Sequence, residues 1–250
     1  MASYEAFAQV YDLFMDNVPY KKWCENLLRF LHEEQITDGL VADLGCGTGV
    51  MTQMLDAHGY DMIGIDLSED MLWQAREQQI EDGTNILYLQ QDMREFELYG
   101  TVRAIISICD SINYILKEEE LVKVFSLVNN YLDPHGLFVF DFNTVSKYAQ
   151  IGDGTICENR EEGSFIWENY YDTDSNINEY DLTFYIQSDE EGLYERFEEN
   201  HRQRGYTLEI MKDCIKKAGM EFKAAYDADT MKEVTGESQR IYVLAYEKGK

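Results

Sequence analysis

The chain has 250 residues, 45% of them hydrophobic, and carries 21 Lys and Arg against 48 Asp and Glu, a formal net charge of −27. That length suits one good-sized domain with a modest appendage, and the composition is that of a folded globular protein, not a disordered one. Binding to nucleic acid takes much of its affinity from neutralised phosphates, so this charge disfavours DNA or RNA, and an anionic membrane surface with them. One local group of cations, Arg196, His201, Arg202 and Arg204, keeps an RNA substrate open as an alternative. The five cysteines (Cys24, Cys46, Cys109, Cys157 and Cys214) are scattered without CxxC spacing. They point to reduced thiols, with no disulfide framework and no metal site. The N-terminal residues lack the basic and apolar regions of a signal peptide, and no apolar run is long enough to span a bilayer, so the expected location is cytoplasmic.

Tyr4, Phe7, Ala8, Tyr11 and Met15 fall on one face of a helix, and a second helix after Pro19 carries Trp23, Leu27, Leu28 and Leu31 on its stripe. These aromatics either pack on the sheet or make residues 1–35 a helical cap over a ligand cleft. A short apolar run, Leu40 to Ala42, then enters Asp43 and Leu44, and glycines alternate at Gly45, Gly47 and Gly49. Val50, Met51, Met54 and Leu55 follow at helical spacing. Strand, glycine turn and helix in that order make a nucleotide site, because glycine lets the backbone approach a ligand closely. Further strands are expected at Tyr60–Asp66, Ile86–Leu89, Val102–Ile108 and Leu137–Phe142. Helices between them start after the N-cap Ser68 and at about Glu118, and Pro134 with Gly136 is expected to break the chain before the fifth strand.

Strands alternating with helices at this spacing imply right-handed βαβ crossovers, a parallel sheet covered on both faces, and a ligand beyond the carboxyl ends of the strands. Asp43, Asp66, Asp92, Asp110 and Asp141 all fall near those ends. After Asn143 the rhythm changes. Ser164–Tyr171, Tyr180–Ser188 and Gly192–Asn200 are aromatic-rich, alternating segments separated by polar turns, expected as a small antiparallel sheet with one wet face. The expected organisation is one α/β domain over 1–149 and 206–250, with an insert over 150–205. A helix from Thr207 and two strands near 220–226 and 240–247 complete the main sheet.

The glycine spacing separates the cofactors. A dinucleotide fingerprint needs its third glycine at position 50, which is Val50. Asp43, two residues before the first glycine, would repel a pyrophosphate but suits a ligand with an amino group and a positive centre. Asp66, about 20 residues on, fits a carboxylate gripping ribose hydroxyls. An NAD-dependent oxidoreductase is thereby disfavoured.

With these residues the chain resembles the class I S-adenosylmethionine-dependent methyltransferases, over about residues 38 to 142. D-x-G-x-G-x-G at Asp43–Gly49, GIDLS at Gly64–Ser68, QQDM at Gln90–Met93 and the segment Cys109–Asn113 are similar to successive motifs of that family. YEAFAQVYD near the N-terminus and HRQRGYTLEI at His201–Ile210 resemble features of its bacterial small-molecule or uncharacterised branches, some with a small antiparallel insert. The resemblance implies a Rossmann-like seven-stranded sheet, mostly parallel with the last strand antiparallel, and S-adenosyl-L-methionine as cofactor. Gly45, Cys46, Gly47 and Gly49 would pass the main chain under the methionine and ribose portions, and Asp43 would face the methionine amino group. Asp66 would take the ribose hydroxyls, with Leu67 and Met71 against the adenine. Asp92 would take the adenine amine, with Met93 beside the ring. Cys109 or Asp110 would lie near the methionine end, and Tyr11 would close over the carboxylate.

Methyl transfer is an in-line displacement in which the cofactor carries the activation, so the protein aligns the groups, and a base is needed only for a protonated acceptor. His201 and Tyr114 are the candidate bases, followed by Asn113, Tyr20 and Tyr170. The expected acceptor is a small molecule offering an O or N nucleophile, selected by the N-terminal helices and the insert, in a monomer or homodimer. An RNA methyltransferase and a non-catalytic S-adenosylmethionine-binding protein are the alternatives.

Overall fold

The apolar run before the glycine turn forms β1 (Gly39–Leu44), with its last four residues buried. In the computed structural model residues 18–161, 163–188 and 192–250 are described. The helix expected over residues 4–15, and Tyr11 with it, lies outside them. β2 (Tyr60–Asp66) and β4 (Val102–Ser107) pair in parallel with β1 on either side. β3 (Leu87–Gln90), β5 (Leu132–Asn143), β10 (Glu221–Asp227) and β11 (Arg240–Tyr246) extend a seven-stranded sheet in the order β10-β11-β5-β4-β1-β2-β3. β11 runs antiparallel to both its neighbours. β1 and β4 are adjacent, and the chain leaves them for opposite edges of the sheet, which creates the switch-point crevice above their carboxyl ends.

Helices cover both faces. α1 (Tyr20–Glu33) buries Trp23, Leu27, Phe30 and Leu31 against Val41, Val139 and Tyr242. α2 (Val50–Asp56) and α3 (Glu69–Asp82) lie on this side too, through Leu55 and Leu72. α4 (Glu118–Tyr131) and α6 (Leu208–Lys217) cover the other face, where Phe125 packs 5.1 Å from Phe140, centroid to centroid. The two-residue period of β5 sorts its side chains accordingly: Phe138, Phe140 and Phe142 face α4, while Leu137 and Val139 face α1. Asp141 falls on the second of these faces, and it is fully buried.

Local signals placed several boundaries. Ser68 Oγ accepts from Met71 N at 3.3 Å, and Gly83 ends α3 in the left-handed conformation. Thr207 caps α6 in the same way as Ser68. Pro134 and Gly136 do not make a separate loop. β5 begins at Leu132, directly after α4, and the irregularity appears as a register shift between Val102 and Ala104 of β4. A short helix, α5 (Val145–Ile151), capped by Thr144, follows β5 where none was expected.

The segment between α5 and α6 is a four-stranded antiparallel sheet: β6 (Gly154–Asn159), β7 (Gly163–Asp172), β8 (Ile177–Gln187) and β9 (Tyr194–Arg204). β6 was not anticipated, because a largely exposed edge strand lacks the alternation that reveals its neighbours. β9 runs on through the cationic group. There Arg196 pairs with Glu198 at 2.5 Å, Arg202 with Glu179 at 2.6 Å and Arg204 with Glu118 at 3.1 Å, so the arginines do not form a bare basic patch. Phe165, Tyr180, Leu182 and Phe184 form a small core of their own, with Met71 of α3 packed against it. Among the described residues no helix is long and apolar enough to cross a membrane.

Gly49, at φ +79°, leads into α2, and a Cβ there would lie 2.5 Å from Tyr88 Oη and 3.0 Å from Ala75 Cβ. Gly49→Ala is expected to lose about 2–4 kcal/mol of stability, the sum of left-handed strain and overpacking, measured by urea unfolding.

Candidate functional site

The glycine turn is held from below by main-chain bonds: Gly45 N and Cys46 N donate to Ile65 O at 2.7 and 3.1 Å. Gly45, at φ +76°, has no room for a Cβ, which would meet Ser111 Cβ at 2.6 Å. Ser111 Oγ lies 3.1 Å from Gly45 O and 3.0 Å from Ile108 O, its one proton shared between the two carbonyls, which ties the turn to the segment after β4. Gly47 differs, since a Cβ there would meet nothing within 4 Å. The turn therefore leaves an open cradle at its apex. Asp66, at the end of β2, borders it: one carboxylate oxygen accepts from Gly47 N and the other from Ser68 N, both at 2.8 Å.

Asp43 lies beneath the turn, only 2% exposed, and accepts from Thr52 Oγ1 at 2.7 Å. Burial pushes its pKa up to about 7, against the lowering effect of Thr52. Burial also pushes the Cys109 thiol up to about 12 and the Cys46 thiol well above its ordinary value. Both thiols are therefore protonated at neutral pH and are poor nucleophiles.

A cavity of about 380 Å³ opens between this turn and the four-stranded sheet. Asp43, Gly45, Cys46, Gly47, Cys109, Asp110 and Tyr114 line it from the main sheet, together with Tyr20 and Trp23 of α1. Phe165, Trp167 and Asn169 of β7 line it from the other side, with Asn178, Tyr180, Leu182 and Phe184 of β8. Its floor is a buried ionic network. Arg240 donates to Asp110 at 2.5 Å and to Asp141 at 2.9 Å, and its guanidinium lies 4.7 Å from the Trp23 ring centroid. Asp110 N donates to Asp141, and Gln203 Nε2 donates to Asp110 at 2.6 Å. The bonds continue through Tyr148 Oη to Gln203 Oε1 at 2.8 Å and Asn143 Nδ2 to Tyr148 Oη at 3.2 Å, ending at Lys147 Nζ, which donates to Asn143 Oδ1 at 2.9 Å.

A second group joins the two sheets. Tyr114 Oη lies 2.9 Å from Tyr180 Oη and 3.0 Å from His201 Nδ1, and His201 Nε2 lies 2.8 Å from Glu199. The carboxylate fixes the proton on Nε2, leaving Nδ1 to accept from the Tyr114 hydroxyl. Burial pushes the Tyr114 phenol up, so it stays protonated. Sequence reasoning proposed Tyr114 and His201 separately; Glu199 was missed in an acid-rich stretch with no distinguishing spacing.

The other proposed residues spread along the strand ends. Leu67 is exposed beside Asp66, and Met71 faces the four-stranded sheet. Met93 packs on the core next to Gly45, where a Cβ would sit 3.3 Å from its Cε. Asp92 holds Arg94 through both carboxylate oxygens, and those bonds lower its pKa. Asn113 is not available as a base. Its amide bridges Asn143 and the Arg204 carbonyl, donating at 2.9 and 2.7 Å and accepting from Asn143 N at 2.8 Å. Tyr170 is half exposed on β7 and does not line the cavity. Arg240, Gln203, Tyr148 and Lys147 were missed, since they meet only through the topology.

Asp43 has a raised pKa, so its folded-state cost is absent below the unfolded value of 3.8, grows as pH rises, and is complete above about 7. Asp43→Asn is therefore expected to be more stable than the parent, and the gap should widen by about 2–3 kcal/mol between pH 5 and pH 8 in urea unfolding. A pH-independent gap would contradict this assignment.

Comparison with known proteins agrees with the geometry. A methyltransferase-domain family model matches residues 41–136. A Bacillus subtilis protein named "Putative methyltransferase YqeM" is 33% identical over 244 residues, 97% of this chain and 96% of its own. A solved S-adenosylmethionine-dependent methyltransferase from Clostridium acetobutylicum superposes with a TM-score of 0.87 at 28% identity, covering 97% of this chain and 98% of that one. Over a shorter span of 136 residues, 54% of this chain and 56% of the relative, a dTDP-3-amino-3,4,6-trideoxy-alpha-D-glucopyranose N,N-dimethyltransferase from Streptomyces venezuelae is 30% identical. The residues present fit this cofactor: the cradle at Gly47 has room for a ligand, and Asp66 ends the second strand beside it. The chain belongs to the class I S-adenosylmethionine-dependent methyltransferases.

Proposed function

We propose that the protein methylates an N or O nucleophile of a small molecule held in the cavity between the glycine turn and the four-stranded sheet, with residues 150–205 acting as the substrate cover. The observation that carries this reading is the shape of that cavity: about 380 Å³, with Trp167 and Tyr180 as wall residues from the insert and Asp43 and Gly47 as wall residues from the cofactor turn. Such a space suits a compact, partly apolar acceptor and not a nucleic-acid backbone. The named activity of the Streptomyces venezuelae relative, a transfer to a sugar amine, supports an amine among the acceptors to be tried first.

The bound cofactor supplies an activated methyl group. Within this reading Asp66 takes the ribose hydroxyls and Asp43 the amino end, with Gly45, Cys46, Gly47 and Gly49 as main-chain floor. Leu67, Met71, Asp92 and Met93 flank the adenine, and Cys109 with Asp110 border the methionine end. Tyr114 accepts the proton of the nucleophile as it passes its own to His201 Nδ1, and Glu199 stabilises the resulting imidazolium. The 3.0 Å and 2.8 Å contacts of His201 support that path.

Incubation with methyl-labelled S-adenosylmethionine and a fractionated cell extract should place label in the small-molecule fraction; label confined to RNA or protein would overturn the reading. Asp66→Ala is expected to weaken S-adenosylhomocysteine binding by about tenfold or more while the far-ultraviolet circular dichroism is unchanged. Tyr114→Phe should lower kcat by about a hundredfold with cofactor affinity preserved. An unchanged kcat would remove the relay from the mechanism.

A further inference from the structure

We propose that Lys147 binds an anionic group, a carboxylate or phosphate, on the methyl acceptor. The inference rests on the small-molecule reading of the cavity and adds a chemical class to it. Lys147 lies in the first turn of α5, where its amide is fixed by the cap Thr144 Oγ1 at 3.2 Å and that hydroxyl donates to Ser238 O at 2.7 Å. The helix start is thus anchored, and the Lys147 side chain lines the cavity beside Tyr148 and Ile151.

The neighbouring charges leave this ammonium a distinct part to play. Asp110 accepts from Arg240 on one oxygen and from Gln203 on the other. Asp141 accepts from Arg240 on one oxygen and from Asp110 N on the other. The nearby carboxylates are thus already engaged. Arg240 also lines the cavity, but it is clamped between two acids and covered by Trp23, so its charge is already balanced. The hydrogen bond of Lys147 goes instead to the neutral amide oxygen of Asn143 at 2.9 Å. An ammonium can donate to several acceptors at once, and a neutral amide does not offset its charge. Burial, followed by the repulsion of Arg240, lowers the Lys147 pKa against the attraction of Asp110 and Asp141, and an incoming anion offsets the first two effects. Phe165, Trp167 and Leu182 line the same cavity and offer a wall for an apolar body.

The test is calorimetric titration of protein saturated with S-adenosylhomocysteine, using benzoate, phenyl phosphate and neutral benzamide as probes. At least one anion should bind about tenfold or more tightly than benzamide, the value of one charge-assisted hydrogen bond. Lys147→Met and Lys147→Gln should abolish that preference, and Lys147→Arg should keep it, because the function is cationic donation and not proton abstraction. The stronger anion distinguishes carboxylate from phosphate. Equal binding of benzamide, no binding of either anion in the millimolar range, or a preference that survives both neutral variants would overturn the proposal. So would a parallel loss of S-adenosylhomocysteine affinity in those variants, which would assign the cation to the cofactor. A parent protein that binds the anions but methylates only RNA would instead overturn the small-molecule reading while leaving the anion site standing.

Discussion

A fully buried carboxylate must be matched, and Asp141 imposes that condition on the floor of the cavity. Its place in β5 puts it on the face where Leu137 and Val139 are core residues. An uncompensated ion there would cost several kcal/mol, and the fold answers with Arg240, the first residue of β11, reaching across from the adjacent strand. The same guanidinium takes Asp110, and Asp141 takes the Asp110 amide. Cys109 and Asp110 both have left-handed backbones, at φ +62° and +54°, an arrangement that non-glycine residues hold only when their surroundings impose it. The ionic network supplies that restraint, so the turn after β4, which lines the cavity, is set by a pair of charges below it.

What the sequence disclosed and what it withheld divide along the range of the interactions. The glycine turn, the Ser68 cap and the start of α6 at Thr207 depend on neighbours a few residues apart, and each was legible as a pattern. The small sheet was legible where apolar and polar residues alternate, as in Leu182 to Gln187, and lost where the edge strand β6 is exposed on both sides. The cavity floor is another matter. Arg240 and Asp110 are 130 positions apart, Gln203 and Asp110 93, and no spacing rule connects them. The arginines of β9 looked like a possible basic surface for the same reason: the acids that neutralise two of them, Glu179 and Glu118, stand on other elements.

The two halves of the cavity are built by different physics, and this decides which of its walls tolerates exchange of side chains. On the cofactor side the wall is main chain, fixed by Gly45 against Ser111 and by the amide of Gly47 on Asp66, so side-chain exchange there disturbs the turn itself. On the opposite side the wall is the inward row of an antiparallel sheet. Phe165 pairs with Phe184, Trp167 with Leu182 and Asn169 with Tyr180, and His201 and Gln203 follow on β9 opposite Tyr180 and Asn178. Because alternate residues of a strand face the same way, the aromatic and aliphatic side chains of this row can be replaced without moving the register that presents their neighbours. The reciprocal amide pair of Asn169 and Asn178, at 2.9 and 2.7 Å, locks β7 to β8 independently of the aromatic positions. A main-chain wall that resists exchange therefore faces a side-chain wall that permits it, with the Asp141–Arg240 network tied to both through Asp110 and Gln203.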